Sequence, residues 1–202
     1  YVAASSQHVG KTTTTLGLVS AFINKGLKVG YSKPVGQKFL DLKNLRVDKD
    51  TLLFADLIHF DIQPEIHSPI ILGKGATEKL IDDPSIKKEL IEELIEAKES
   101  LEENYDLVIY EGTGHPGVGS IAGVSNAKVA SMMGAHVIMV IEGGIGSTID
   151  KLNMCLSLFR EEKVPILGVI VNKVRPKKLK KIKTYLNKWF KNAGGLFRKR
   201  SS

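Results

Sequence analysis

The opening twelve residues, YVAASSQHVGKT, constrain this chain more than any other stretch. Tyr1-Val2-Ala3-Ala4 is a short apolar run, followed by small polar residues, then Gly10-Lys11-Thr12 and a helical pattern. Strand, tight loop and helix in that order make a phosphate cradle. Backbone N–H groups of the loop and of the first helical turn face the phosphate oxygens, and the helix dipole favours negative charge there. In this reading the cradle is Gln7, His8, Val9, Gly10, Lys11, Thr12 and Thr13. Gly10 admits a close backbone approach, Lys11 reaches the β- and γ-phosphates, and the Thr12 hydroxyl is a ligand for Mg²⁺. One position departs from the G-x-x-x-x-G-K-[ST] pattern: Ser5 stands where its first glycine would be. The competing reading is a GKT that falls by chance at a helix start.

Beyond the loop, Leu16, Val19, Phe22 and Ile23 recur at helical spacing, and Gly26 is placed to close the helix. Residues 27–32 (LKVGYS) read as a second strand, ended by Pro34 so that Lys33 stands at its C-terminal end. Lys33 is then either a solvated surface lysine or a charge beside the ligand crevice of an open parallel sheet. Residues 39–49 are polar and predict an irregular, mobile loop. Asp50 opens a helix whose buried face is Leu53, Phe54, Leu57 and Phe60. Asp48 and Asp50 suit helix caps. Pro64, Pro69, Gly73 and Gly75 predict an irregular excursion over residues 64–80. Asp83-Pro84 then starts a long helix with Ile86, Leu90, Leu94, Ile95 and Leu101 on one face.

Residues 105–111 (YDLVIYE) form a continuous apolar strand tipped by the carboxylate of Glu111. Downstream of a GKT loop, such an acid orders Mg²⁺ opposite the Thr12 hydroxyl. Residues 112–119 (GTGHPGVG) suit a loop that passes close to a ligand, with His115 read as a solvated loop histidine. Ser125-Asn126 caps a short helix, and residues 135–141 and 165–171 are further buried strands. Between them a helix over residues 147–160 carries Met154 and Cys155 as core. From Pro176 a last helix sets Leu179, Ile182, Leu186 and Trp189 on one face and lysines on the other. Such a basic helix fits an anionic membrane or an acidic partner. The preferred reading is the outer helix of an α/β layer with a solvated lysine face. After Gly194 no further strand is predicted.

Strands alternating with helices, most strands continuously apolar, predict an α/β chain. The fold class is a three-layer P-loop NTPase fold, its mostly parallel sheet covered by helices on both faces. At 202 residues and 43% hydrophobic, the chain suits one domain over residues 1–202, with 176–202 a basic helix and tail. The net charge of +7 is unevenly placed. Residues 173–202 hold 12 Lys/Arg and no Asp/Glu, which leaves −5 on residues 1–172. The body is therefore acidic, and nucleic acid is not an expected partner. Nor is a membrane, since no run nears the ~18 apolar residues of a span. The single Cys155 excludes an internal disulfide and suits a reducing, cytoplasmic compartment. Beginning at Tyr1 rather than Met, the sequence is expected to be a fragment of a longer product.

The chemistry gathers at the predicted strand ends: the 5–12 loop, Lys33, Glu111 and Asn172. The guanine-reading pattern N-K-x-D needs a carboxylate in its last position, where this chain has Arg175, which cannot accept a hydrogen bond. Asn172 can still pair through its amide with adenine. ATP is expected over GTP.

YVAASSQHVGKTTTTLGL, YSKPVGQ, VDKD, LVIYEGTG and GVIVNKV, in this order and spacing, resemble the dethiobiotin synthetase family. Its relatives include the cobyrinic acid diamide synthases and the synthetase-like domain of some phosphotransacetylases. The resemblance runs to Lys173. It implies a Mg²⁺- and ATP-dependent C–N ligase or ATPase that activates a carboxylate or carbamate by phosphoryl transfer. Lys11 and Lys33 would be catalytic, Thr12, Asp50 and Glu111 would surround Mg²⁺, and Asn172 would contact adenine. In dethiobiotin synthetase a diamine is carboxylated by CO₂, the carbamate is phosphorylated, and the ring closes with loss of phosphate. A homodimer is the family expectation.

The departures are specific. Residues 4–8 and 112–116 differ from the Gly-Thr-Asp type loop start and the glycine-rich segment usual in biotin-forming synthetases. The small-molecule partner therefore stays open among carboxylates, carbamates and amines. The absence of lysine in residues 5–9 argues against the partition-type ATPases of the same class. The basic tail replaces the strand and adenine-side loop the family has after its last helix. The alternative is thus a nucleotide-sensing regulatory domain of a larger protein without ligase activity.

Overall fold

Successive side chains of a strand point to opposite faces of its sheet, and in this chain the central strands are apolar on both. The computed structural model describes residues 1–42 and 45–192. Strand β1 (Val2–Ala4) leads through the glycine-containing loop into helix α1 (Lys11–Ile23), and β2 (Val29–Ser32) follows. A peripheral region comes next: β3 (Val35–Gly36), β4 (Phe39–Leu42), β5 (Leu45–Asp48), α2 (Lys49–Ile58), α3 (Pro64–His67), β6 (Ile70–Ile71) and α4 (Ala76–Asp82). The long α5 (Ile86–Asn104) returns the chain to β7 (Leu107–Tyr110). Then α6 (Asn126–Met132), β8 (Val137–Glu142), α7 (Gly146–Glu161), β9 (Ile166–Asn172) and α8 (Leu179–Asn192) complete the described chain.

The pairs β1–β8 and β8–β9 are parallel, as is β2–β7. A parallel bridge between Val2 and Glu111 joins the two groups, and the Gly112 N–H donates to the Val2 carbonyl at 3.0 Å. The sheet order is thus β2-β7-β1-β8-β9, with β1 in the middle. Alternation divides its side chains between two cores. Val2, Ala4, Val29, Tyr31, Ile109 and Val140 pack with Val19 of α1 and Phe54 of α2. Ala3, Tyr110, Val137, Met139 and Ile141 pack on the other side with residues of α5, α6 and α7, such as Leu94, Val129 and Leu156. This is the predicted α/β arrangement, parallel strands with helices on both faces.

Several local expectations are corrected. Residues 39–42 and 45–48 pair as antiparallel strands with Phe39 opposite Asp48, where an irregular loop was expected; these strands are too short for their alternation to stand out in sequence. Residues 64–80 hold α3, β6 and most of α4 rather than an irregular excursion, because β6 extends the structure by pairing with β3. In α2 the buried stripe is Thr51 and Phe54, while Leu53 and Leu57 are exposed. The reason is the face-to-face contact of Phe54 with Tyr31, centroids 3.9 Å apart, which sets the rotation of the helix. Met154 is exposed, since the inner stripe of α7 runs through Leu152, Cys155, Leu156 and Phe159. Ile23, Ile95 and Leu179 likewise lie off their helices' buried stripes. The expectation for residues after Gly194 lies outside the described residues.

Candidate functional site

The loop of residues 5–10 leaves the C-terminal end of the central strand, with the Ser5 N–H continuing the ladder to the Val140 carbonyl at 3.0 Å. Gly10, at φ 97°, turns the chain into α1, and His8 also sits in the left-handed region at φ 62°. A Cβ on Gly10 would lie 2.1 Å from Asn172 Nδ2. That nitrogen donates to the Val9 carbonyl at 2.9 Å, and the Lys173 ammonium donates to the His8 carbonyl. The end of β9 therefore braces the loop from outside. Gln7, His8 and Thr13 are exposed, while Val9 is buried and offers the site only its backbone.

Glu111, the residue just past β7, is fully buried beside the start of α1. Its Oε1 accepts from the Thr12 hydroxyl at 2.8 Å and lies 3.5 Å from the Lys11 ammonium. Its Oε2 accepts from the Tyr31 hydroxyl at 3.4 Å. Burial pulls the Lys11 pKa down, partly offset by the Glu111 charge. Burial likewise pushes the Glu111 pKa up, against the pull of Lys11 and then Lys33. The Tyr31 hydroxyl is held protonated, its pKa raised by burial and then by the Glu111 charge.

Lys33 is buried, not solvated. Its backbone N–H donates to the His67 carbonyl at 2.9 Å, fixing where the strand ends. Its ammonium lies 2.9 Å from Asp48 Oδ1 and is also paired with Asp50 Oδ2. Burial acts to lower the Lys33 pKa, but Asp48 and then Asp50 outweigh it and raise it. Asp48 caps α2 as well, accepting from the Asp50 N–H at 2.9 Å, while its Oδ2 is buried without a partner. The capping reading of Asp48 and the charge reading of Lys33 are both met by one cluster.

Three carboxylates, Asp48, Asp50 and Glu111, thus face two ammonium groups, Lys11 and Lys33, for a formal −1. The residues fit a hard divalent cation. Thr12, Asp50 and Glu111 supply oxygen donors only, and their excess of negative charge is what such an ion would neutralise. Among the described residues no group of three or more His, Cys, Asp or Glu forms a protein-only metal cage.

Other contributors escaped the sequence reading. Tyr31 was legible only as a strand residue, and Asn126 only as part of a helix cap. Ser125 in fact makes the α6 cap, accepting from the Lys128 N–H at 3.1 Å, while Asn126 is buried. His115 is exposed on its loop, as read.

A strand, a Gly-Lys-Thr loop and a helix, faced by a buried acid on the neighbouring parallel strand, define the P-loop class of nucleotide-binding folds. The chain belongs to the AAA_26 family of AAA domains, whose model matches residues 1–194, and within it to the dethiobiotin synthetase-like P-loop ATPases. It is 26% identical over 189 residues to the ATP-dependent dethiobiotin synthetase BioD of Thermodesulfovibrio yellowstonii, covering 88% of this chain and 77% of that protein. It is 31% identical over 179 residues to the phosphate acetyltransferase of Pseudomonas aeruginosa, covering 87% of this chain and 24% of that protein. The phosphate acetyltransferase of Nitrosomonas europaea is 28% identical over the same length, again with 24% of it covered. The chain therefore spans about a quarter of the acetyltransferases it matches. Among solved structures, the chimerical protein CapA2B2 shares its fold at a TM-score of 0.57 and 14% identity, over 86% of this chain and 74% of that one. No helix among the described residues is long and apolar enough to cross a membrane.

Proposed function

We propose that this chain binds Mg-ATP on residues 7–13 and transfers the γ-phosphoryl group to a carboxylate or carbamate oxygen of a small molecule. The observation that carries the reading is that the half-buried Lys11 and the buried Lys33 both act on the buried Glu111. The acceptor oxygen attacks the γ-phosphorus, the bond to the β–γ bridging oxygen breaks, and ADP leaves with its electron pair. Lys11 follows the charge moving onto the β–γ bridge. Lys33 neutralises the anionic acceptor as it approaches. Charge neutralisation and alignment are the main demands of such a transfer. Thr12, Asp50 and Glu111 would hold Mg²⁺, whose contribution is to neutralise and align the phosphates. The mixed anhydride so formed is open to attack by an amine with release of phosphate, the C–N ligase outcome. With Asn172 Nδ2 engaged on Val9, Oδ1 is the atom that would accept from the adenine amino group.

A second reading is favoured by length. Chains of phosphate acetyltransferase carry a region like this one as about a quarter of a larger protein. There it would sense nucleotide without ligase chemistry.

Thermal unfolding with Mg-ATP, Mg-GTP or no nucleotide tests the shared core of both readings. Ligand at ~100 times its dissociation constant adds about 2.7 kcal/mol to the native state. The expected result is an ATP-selective rise that disappears in Lys11→Ala. Phosphate release that depends on an added carboxylate or amine then supports the ligase reading, and binding without such turnover supports the sensor. No rise with either nucleotide would end both.

A further inference from the structure

Asn126, at the start of α6, is 3% exposed, and its side chain makes four hydrogen bonds. Its Oδ1 accepts from the Tyr1 hydroxyl at 2.8 Å and from the Thr113 N–H at 2.9 Å. Its Nδ2 donates to the carbonyls of Thr113 and His115, each at 2.6 Å. Donors on one side and carbonyls on the other fix the orientation of the amide. An aspartate at this position could not serve the two carbonyls, and an alanine would serve none of the four groups.

Thr113 in turn carries the network toward the crevice. Its hydroxyl donates to the Val35 carbonyl, two residues beyond Lys33. The backbone between Glu111 and Asn126's partners has no slack, because a Cβ on Gly112 would meet Asn126 Oδ1 at 2.7 Å and the Tyr1 ring at 2.9 Å. Tyr1 stays a donor, since burial and then the Glu111 charge raise its phenol pKa.

We propose that Asn126 is a positioning residue for Glu111: it sets the backbone path from Glu111 to His115 and, through Thr113, locks that path to the segment carrying Lys33. The network stands on its own contacts, whereas its consequence for Mg²⁺ rests on the proposed nucleotide site. The geometry of a carboxylate that must meet a metal is then held by an amide that touches neither metal nor nucleotide.

The test compares wild type with Asn126→Asp and with Tyr1→Phe, a milder variant that removes one of the four bonds should the first fail to fold. Two quantities are read: amide hydrogen exchange across residues 111–117, and ADP affinity by calorimetry with and without Mg²⁺. Asn126→Asp keeps an oxygen for the Thr113 N–H but no donor for the Thr113 and His115 carbonyls, so exchange across residues 111–117 is expected to speed by at least about tenfold. It should also cut the gain in ADP affinity that Mg²⁺ confers by about tenfold, while metal-free affinity stays within about twofold. Tyr1→Phe should change both in the same direction by about threefold, the share of a single hydrogen bond. Unchanged exchange across residues 111–117 overturns the proposal. So does an equal loss of metal-free and Mg²⁺-linked affinity, which would mark general damage to the fold. If wild type binds no ADP at all, the proposed function fails instead, and exchange across residues 111–117 still decides whether Asn126 holds the loop.

Discussion

Gly10 carries two constraints that can be separated by mutation. Its φ of 97° disfavours any side chain, and a Cβ would collide with Asn172 Nδ2. Gly10→Ala is expected to lose more than about 1 kcal/mol in urea unfolding, together with the nucleotide-induced rise in Tm. Adding Asn172→Ala relieves the collision but not the backbone strain, so the double variant should recover only part of the loss. Full recovery would show that the left-handed turn costs nothing. The Lys11–Glu111 pair makes a different prediction. Burial drives both groups toward their neutral forms. A carboxyl whose pKa is raised by folding costs stability as pH rises through that value, and a lysine whose pKa is lowered costs stability as pH falls through its own. With both groups charged, both penalties operate. Replacing the pair by neutral side chains of like shape, Lys11→Met with Glu111→Gln, should leave the nucleotide-free protein as stable or about 1–2 kcal/mol more so. Urea unfolding checks this, and a loss above about 1 kcal/mol would mean the pair is a net stabiliser.

At the scale of elements, α3 does more than fill a connection. Its last residue, His67, offers its carbonyl to the Lys33 N–H, and its ring packs against Phe60 at 4.3 Å. The ring Nδ1 lies 3.1 Å from the Gln63 nitrogen, and burial lowers the His67 pKa. A depressed histidine contributes stability that is present above its unfolded value, about 6.5, and is lost as pH falls through the folded one. His67→Asn, which keeps an acceptor for Gln63 but cannot titrate, should flatten the loss of unfolding free energy between about pH 7 and pH 5. An unchanged acid limb would assign that loss to other groups. This element also marks where reading the sequence stopped working. Lys11, Thr12, Lys33 and Glu111 were legible because each rides the end of a strong apolar strand or opens a helix. The short pieces between Val35 and Asp82 were not, since two- to four-residue strands acquire their form from pairing partners far along the chain. Asn126 was illegible for the same reason, its partners lying between 11 and 125 residues away.

Across the whole molecule charge is segregated: the basic excess sits in residues 173–202 and the remainder is acidic. Two roles compete for the lysines of α8, solvation of an outer helix or capture of a polyanion. Packing bears on the choice. Ile182 and Leu186 are buried, and Trp189 and Phe190 pack against the core shared with α5, α6 and α7. The stripe through Ile182, Leu186, Trp189 and Phe190 is thus already used inside the protein. Lys180, Lys183 and Lys188 are exposed and outside this contact. Changing all three to Gln should alter unfolding free energy by less than about 0.5 kcal/mol, whereas Leu186→Ala should cost about 2–4 kcal/mol. The same lysine variant, titrated with heparin at low and high salt, measures any polyanion affinity directly. A solvated outer helix predicts weak binding with a shallow salt slope in wild type and little change in the variant. Tight, steeply salt-dependent binding that the three substitutions abolish would instead make α8 a docking surface, and the acidic body would then be the part that keeps the rest of the molecule off the same polyanion.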